Sequence, residues 1–561
     1  MATAPTAKPP LSLDVRLRLS VMMFLQFAVW GAWFVVFFNY LLKLGFDGGE
    51  TGWIFGNMAL GAILAPMVVG MLADRFMASE KLMAILHLAG AGVLFLQAQL
   101  DRGDPTSGFW IYFGVTLLYS LLYNPTLALA NSISFTHVPD ATRDFPGLRV
   151  WGTIGWIVAN LVVGFYLDQN SNQPLLMAAV LSAVLGVLCF GLPHTPPTGK
   201  PGDQLPFLGA LGLFRDYSFA VFFIVSGLLT VVLAFYYSNT PTFLQQSDAR
   251  MVPGLVQGYF HGTDTVKLSF TDKDKPATTT ATLINVKAVT ITRTKEVDGK
   301  EVQLAPPARR VLTPPIEEDI EVEKAADGTV SGVKLTTTDS TQVEEQAKRP
   351  GADGKPDEWA KVGEGKLTGG GTLNVSRDPG ETLTVTFERV AINPANTMLW
   401  GQIAEMILLP LLPWFLIRYG MKWVLVLGML CWGLRYLLFA GAFPGGPQYY
   451  MSFWAIFVGV LLHGICFDFF FAAAFIHVDN TAPKAIRASA QALFSLLTYG
   501  VGMWLGSILS GYLNQAFTVN PLVGQVDWTG FWKVPAFGVI AAVLVFVLLF
   551  HTSGGKGKKE A

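Results

Sequence analysis

Apolar residues run through the chain in long blocks separated by short polar turns, first as far as residue 244 and again from residue 396 onward. A helix rises about 1.5 Å per residue, so about 20 mostly apolar residues cross a hydrocarbon core about 30 Å thick. Runs of that kind lie at 17–44, 52–73, 81–100, 108–135, 147–168, 174–193, 217–244, 396–418, 422–443, 450–477, 487–515 and 530–551. The pattern predicts twelve transmembrane helices in two groups of six, an arrangement that places a binding site between the groups.

Between the seventh and eighth runs the pattern changes. Residues 245–394 hold 42 of the chain's 79 charged residues, 23 acidic and 19 basic. The stretches "TVKLSF", "ATLINVKAVTITRTKEV", "GVKLTTT" and "TLTVTFERVAI" are strand-like and are separated by the turn signals "TDKDKP", "VDGK", "ADG" and "DPG". The expected organisation is an N-terminal six-helix half (1–194), a cytoplasmic linker (195–216), a seventh helix (217–244), an inserted β-rich domain (245–394), helices eight to twelve (395–551) and a short tail (552–561). The insert has no histidine besides His261, no cysteine and no catalytic spacing, so it reads as an accessory module with a candidate envelope partner.

Composition agrees with a polytopic membrane protein: 52% of the residues are hydrophobic, 14% are charged, and the mean hydropathy is +0.45. A net charge of −1 and scattered basic residues exclude a nucleic-acid partner. Cys189, Cys431 and Cys466 lie in apolar runs with no ligand spacing and are expected to be buried free thiols. The first apolar run has no small-residue cleavage site after it and reads as a span rather than a removable signal. Arg16, Arg18, Arg75, Lys81, Arg143, Lys200, Arg215, Arg418, Lys422, Lys484, Arg487, Lys556, Lys558 and Lys559 fall on one side of the twelve-span arrangement. Arg102 and Lys533 fall on the other. The positive-inside rule then puts both termini in the cytoplasm and the insert on the outer face.

Ionisable side chains in the spans are the strongest functional signal, because a charge at the bilayer centre costs about 2.5–3.5 kcal/mol on insertion scales. Glu405 in the eighth run and Asp468 with His463 in the tenth stand far from any helix end. Residues three, four or seven apart share a helix face. Gln26, Trp30 and Trp33 form one stripe, Arg149, Thr153 and Trp156 a second, Gln402 and Glu405 a third, and His463 and Phe467, with Asp468 beside them, a fourth. Amides, carboxylates and flat aromatics converging on one cavity suit a planar base joined to a sugar. The tryptophans also suit plain packing or an interfacial position, and Arg149 also suits snorkelling. Arg435 has no matching stripe and reads as structural.

The stretches "FLQFAVWGAW", "LGFDGGETG", "GMLADRF", "YNPTLALANSISF", "DFPGLRVWGTIGW", "GQIAEM", "RYGMK", "FDFF" and "PKAIRASAQALF" closely resemble bacterial nucleoside permeases, the nucleoside:proton symporters of the major facilitator superfamily. The resemblance implies an all-α polytopic major facilitator fold of twelve helices around which the β-rich insert is an addition. It implies alternating access, proton-driven nucleoside import across the bacterial inner membrane, and no cofactor. It assigns Arg149, Thr153 and Trp156 to the fifth-helix binding face, Gln402 and Glu405 to the eighth helix, and Phe467 and Asp468 to the tenth.

Some positions depart from the family. Trp156 stands where the family has phenylalanine, and His463 where it has tyrosine. Ala234 and Tyr237 stand where it has a glutamine and an asparagine, which leaves Tyr236 or Tyr237 to stack or to give one hydrogen bond. The turn "GMLADRFMASEK" resembles the superfamily's gating loop, so Asp74 and Arg75 are expected either to gate or, for Asp74, to cap a helix. The matching turn "PWFLIRYGMK" lacks the acid.

Glu405 and Asp468 are expected to include the proton-coupling group, with His463 joining the relay or tuning Asp468. The substrate-binding set is then Gln26, Trp30, Arg149, Thr153, Trp156, Tyr237, Gln402, Glu405, His463, Phe467 and Asp468. Two other readings are a permease for a sugar or nucleoside analogue, favoured by Ala234 and Tyr237, and a transporter-derived receptor or assembly protein acting through the insert. No nucleophile–base pair or metal cluster supports an enzyme.

Overall fold

The computed structural model describes residues 11–551, apart from residues 76, 198–205, 299, 350–357 and 442–448. The N-terminal helices are α1 (Leu13–Gly31), α2 (Phe34–Lys43), α3 (Gly48–Arg75), α4 (Ser79–Ala98), α5 (Pro105–His137), α6 (Ala141–Tyr166) and α7 (Gln173–Cys189). After α8 (Tyr217–Gln246) come nine strands. The C-terminal helices follow: α9 (Pro394–Leu408), α10 (Leu412–Gly441), α11 (Tyr449–Leu461), α12 (His463–Cys466), α13 (Ala473–Thr481), α14 (Arg487–Ser495), α15 (Met503–Ala516) and α16 (Trp528–Leu549).

Several helices start at side chains that accept hydrogen bonds from their first free backbone N–H groups. Asp104 caps α5 by accepting from Thr106 and Ser107 N–H, with Pro105 in the first turn. Asp216 caps α8, and Asn393, followed by Pro394, caps α9. Asn393 also accepts from Gln169 Nε2 at 2.9 Å and donates to Gly164 O at 2.7 Å, so one cap joins α9 to the end of α6.

Two apolar clusters built from α1–α7 and one built largely from α8–α16 fill the helical region, and a fourth belongs to the sheet. Cys189, Cys431 and Cys466 are buried and unpaired. The sheet strands are β1 (His261–Phe270), β2 (Thr280–Val297), β3 (Lys300–Gln303), β4 (Ala308–Lys324), β5 (Val330–Thr337), β6 (Thr341–Arg349), β7 (Glu358–Leu367), β8 (Thr372–Ser376) and β9 (Glu381–Ile392). Their order is β1-β9-β2-β4-β5-β8, with β3 on β2, β6 on β4 and β7 on β6, all antiparallel. Gly380, in the "DPG" turn before β9, has φ +82, a conformation glycine adopts without a Cβ penalty.

The all-α, twelve-helix expectation is corrected. Among the described residues nine helical segments are long and apolar enough to cross a membrane, and a nine-stranded sheet accompanies them. The runs placed at 396–418 and 422–443 lie in one apolar stretch, Pro394–Gly441, in which two helices meet at a kink at Gly420, where φ is +76 and ψ 163, and the run placed at 52–73 lies in α3, part of whose side chains fall outside the described residues. The run placed at 174–193 becomes the 17-residue α7, about 25 Å of helix and short of the hydrocarbon thickness. Apolar composition marks these segments, but continuous helix length is set by where backbone hydrogen bonding stops.

Candidate functional site

Close backbone packing positions the first wall. A methyl group on Gly31 would come within 3.0 Å of the Trp156 carbonyl oxygen, so glycine lets the end of α1 rest against α6. Trp30 then meets the Trp156 ring edge to face at 5.2 Å, and Phe34 lies 6.4 Å from the same ring. Asn160, one turn beyond Trp156, donates to the Trp156 carbonyl at 3.0 Å. Thr153 is half-buried on the same helix. Arg149 sits one turn earlier, its guanidinium 4.1 Å from the centre of the Phe27 ring, an arrangement that stabilises a cation away from bulk water.

The second wall comes from α8, α9 and α12. A methyl on Gly464 would lie 2.6 Å from the backbone of Ala404 and 2.7 Å from Glu405 N, and one on Gly401 would lie 3.0 Å from His463 Cβ. Glycines on both helices therefore bring α9 and α12 into contact, which sets Glu405 Oε2 4.0 Å from His463 Nε2. The same nitrogen lies 3.3 Å from the Tyr237 hydroxyl. Tyr236 stacks on the His463 ring at 5.0 Å and 17°. Phe467 flanks that ring at 5.7 Å. Glu405 is also within electrostatic reach of Arg149 and of Asp468.

Asp468 is buried, and its Oδ2 makes no hydrogen bond to the protein. It lies in a π-helical segment, Phe467–Ala472, where the wider turn re-aims side chains; such bulges are frequent at functional sites. A second π-helical segment spans Leu496–Gly502 and carries Tyr499, which is within electrostatic reach of Glu405. Between the walls lies a cavity lined by Val35, Trp156, Asn160, Tyr237, Met398, Leu399 and Gln402. Its volume is about 10 Å³, the space of one water, so the two walls are closed on one another here.

Of the residues singled out in the sequence, Trp156, Tyr237 and Gln402 line this cavity, while Trp30, Arg149, Thr153, Glu405, His463, Phe467 and Asp468 are not among its lining residues. Gln26 is fully buried among α1, α4 and α5, where its Nε2 donates to Thr126 Oγ1 at 2.7 Å and its Oε1 lies 2.9 Å from His87 Nε2. Trp33 leaves the Gln26–Trp30 stripe because the helix breaks between α1 and α2, and it packs on Phe37 and Tyr119. The side chains of Asp74 and Arg75 lie outside the described residues. Asn160 and Tyr499 are not among the residues the sequence singles out. Asn160 continues the Thr153–Trp156 stripe by one turn, so helical spacing contained that signal, whereas Tyr499 depends on a π-turn.

Two helical groups that meet at a small buried cavity, with the carboxylates of Glu405 and Asp468 carried inside membrane-length helical segments, define a polytopic membrane transporter. A family model described as Nucleoside H+ symporter matches residues 13–262 and 374–554, and the chain belongs to that family. Residues 263–373, which hold most of the sheet but not β9, fall outside the match.

The chain is 31% identical to the putative nucleoside transporter YegT of Escherichia coli, over 96% of this chain and 94% of that one. It is 25% identical to the E. coli nucleoside permease NupG, over 96% of each, and 25% identical to the E. coli xanthosine permease, over 95% of this chain and 96% of that one. The crystal structure of nucleoside transporter NupG shares the fold, with a TM-score of 0.65 at 24% identity, covering 96% of this chain and 100% of that one. The protein is thus a multi-pass secondary active nucleoside transporter coupled to protons, and not an enzyme.

Proposed function

We propose that the protein imports nucleosides across the inner membrane with protons, binding the substrate between the α1/α6 wall and the α8/α9/α12 wall. Trp30, Trp156 and Phe467 supply flat surfaces for the base, and Gln402, Thr153, Arg149, Tyr237 and His463 supply hydrogen bonds. Gln26 supports Trp30 from behind through its bonds to Thr126 and His87. Glu405 and Asp468 carry the proton, and Asp74 and Arg75 gate on the cytoplasmic side. Both termini lie in the cytoplasm and the 245–394 segment lies outside.

The observation that carries this reading is the Glu405–His463–Tyr237 cluster, whose Tyr237 lines the cavity between the walls. Glu405 and Asp468 are within electrostatic reach of one another, and Asp468 is buried. A carboxylate kept inside the membrane is costly, so these two are the groups to take up and release the coupled proton. A bound nucleoside and a bound proton then favour the same closed state, which is the thermodynamic basis of symport.

The test uses purified protein in proteoliposomes. An inward proton gradient should drive uptake of labelled uridine, and a panel of nucleosides, bases and sugars should compete in that order of strength. Glu405→Gln and Asp468→Asn should abolish gradient-driven accumulation while leaving exchange of nucleoside across the membrane. Unchanged gradient-driven uptake in both variants would sink the proton-coupling assignment.

A further inference from the structure

The sheet is joined through the chain to the C-terminal helices. Its chain leaves the end of α8 at Gln246 and returns at the start of α9 at Pro394. The loop between α15 and α16 fastens it further. Asn520 Nδ2 donates to Thr280 O at 3.0 Å, and Leu522 and Val523 pack against the sheet's apolar core. Gln246 is held to the same loop, donating to Gly524 O at 2.8 Å and accepting from Trp528 Nε1 at 2.9 Å. The sheet and the C-terminal helices therefore form one connected unit.

The sheet nevertheless reaches across to the N-terminal helices. Lys43, the last residue of α2, places Nζ 2.7 Å from Asp264 Oδ1 and 2.9 Å from Thr265 O, both in β1. Asn170, between α6 and α7, donates to Thr263 O at 3.2 Å. Asp264 is buried and is held from within the sheet by Arg389 Nη1 at 3.1 Å. Beneath these contacts the helical groups also meet directly. Asn39 Nδ2 donates to Gln245 Oε1 at 2.8 Å, and a methyl on Gly511 would come within 2.2 Å of Gly48 O.

We infer that the sheet is a strut spanning the two helical groups, and that the Lys43–Asp264 and Asn170–Thr263 contacts favour the state closed on the sheet side. Alternating access requires the groups to part on each side in turn, and these cross-contacts exist only while the sheet side is closed. Each such contact shifts the equilibrium by its differential free energy between the two states. Most of the sheet, Asp264 and Thr265 included, lies outside the residues that the family model matches, so the strut is largely an addition to the shared transport unit. A substrate arriving from the sheet side meets a binding-competent fraction that the strut reduces, and its apparent affinity falls by that fraction.

The inference rests on nucleoside transport by alternating access, and the experiment separates the two. The full-length N170C/T263C variant is placed in proteoliposomes and bridged with a reducible bis-thiosulfonate linker, the three native cysteines being buried. Bridging should lower gradient-driven uridine uptake at least about tenfold, and reductant should restore it, with the single-cysteine variants unaffected. In a second arm, Lys43→Met removes the cross-contact while Asp264 keeps Arg389. It should lower the half-saturation concentration for uridine supplied on the sheet side several-fold. A bridged protein that transports at its unbridged rate, or a Lys43→Met variant with unaltered half-saturation, overturns the strut and leaves transport standing. An unmodified protein that accumulates no nucleoside overturns both.

Discussion

The Tyr237 hydroxyl and His463 Nε2 lie 3.3 Å apart, joining α8 to α12 at the wall of the cavity. Each group occupies hydrogen-bonding capacity of the other, so the pair behaves as a unit when substrate arrives. Tyr237→Phe should raise the half-saturation concentration for uridine about fivefold, the loss of one net hydrogen bond, with little change in maximal rate. Equal half-saturation in the variant and the unmodified protein would show that the hydroxyl does not engage substrate.

Arg435 is fully buried, with its guanidinium 4.3 Å from the centre of the Tyr236 ring and 4.6 Å from that of Trp432. Its Nε donates to Gly459 O at 3.0 Å, and among the described residues no carboxylate pairs with it. Tyr236 in turn stacks on His463. Removing a poorly paired buried cation is often neutral or stabilising when volume is kept. Arg435→Met should therefore leave the melting temperature unchanged or higher while slowing uptake severalfold, because Tyr236 and His463 lose their backing. A large fall in melting temperature would instead assign Arg435 to stability.

Gly464 allows α12 to touch α9. An added methyl would sit 2.6–2.7 Å from the α9 backbone, and helix backbone cannot yield as a flexible side chain does. Gly464→Ala should cost about 1–3 kcal/mol of stability and lower uptake more than tenfold by separating Glu405 from His463. Uptake and thermal unfolding measured on one preparation distinguish a displaced site from a failed fold.

The sheet should respond to pH through Glu318. Its side chain is fully buried, and its nearest cationic partner, Arg310, is 3.8 Å away. Burial pushes the carboxyl up from 4.5 to about 7, only partly offset by Arg310. The folded sheet therefore holds this proton where the unfolded chain has lost it. Stability is fully present below about pH 4.5, declines as pH rises toward 7, and is level above it; the change is on the order of 3 kcal/mol. Urea titrations read by proteolytic cleavage within 261–392 should show a lower midpoint at pH 8 than at pH 5, and Glu318→Gln should flatten the difference. A pH-independent midpoint would contradict it.

Much of this protein is determined by the order of its residues. Apolar runs too long for a soluble core place the helices, and period-two stretches between glycine-containing turns mark β1, β2, β5 and β9. The helical spacing of Arg149, Thr153 and Trp156 puts them on one face whatever surrounds it. Glu405 and Asp468 stand out because hydrocarbon makes an unused carboxylate expensive. These features are local: they depend on period, on length and on the cost of burying charge.

What the tertiary structure decided depends on contacts between distant segments. Gln26, which shares a stripe with Trp30, is turned into an internal network by His87 and Thr126, partners from α4 and α5. The break at Gly31–Trp33 moves Trp33 off that stripe, and π-turns at Phe467–Ala472 and Leu496–Gly502 shift the residues beyond them by part of a turn. The kink at Gly420 and the short α7 likewise appear only in the folded chain. The sheet's reach from Asp264 to Lys43 joins residues more than two hundred positions apart, and only packing of the whole chain could bring them together.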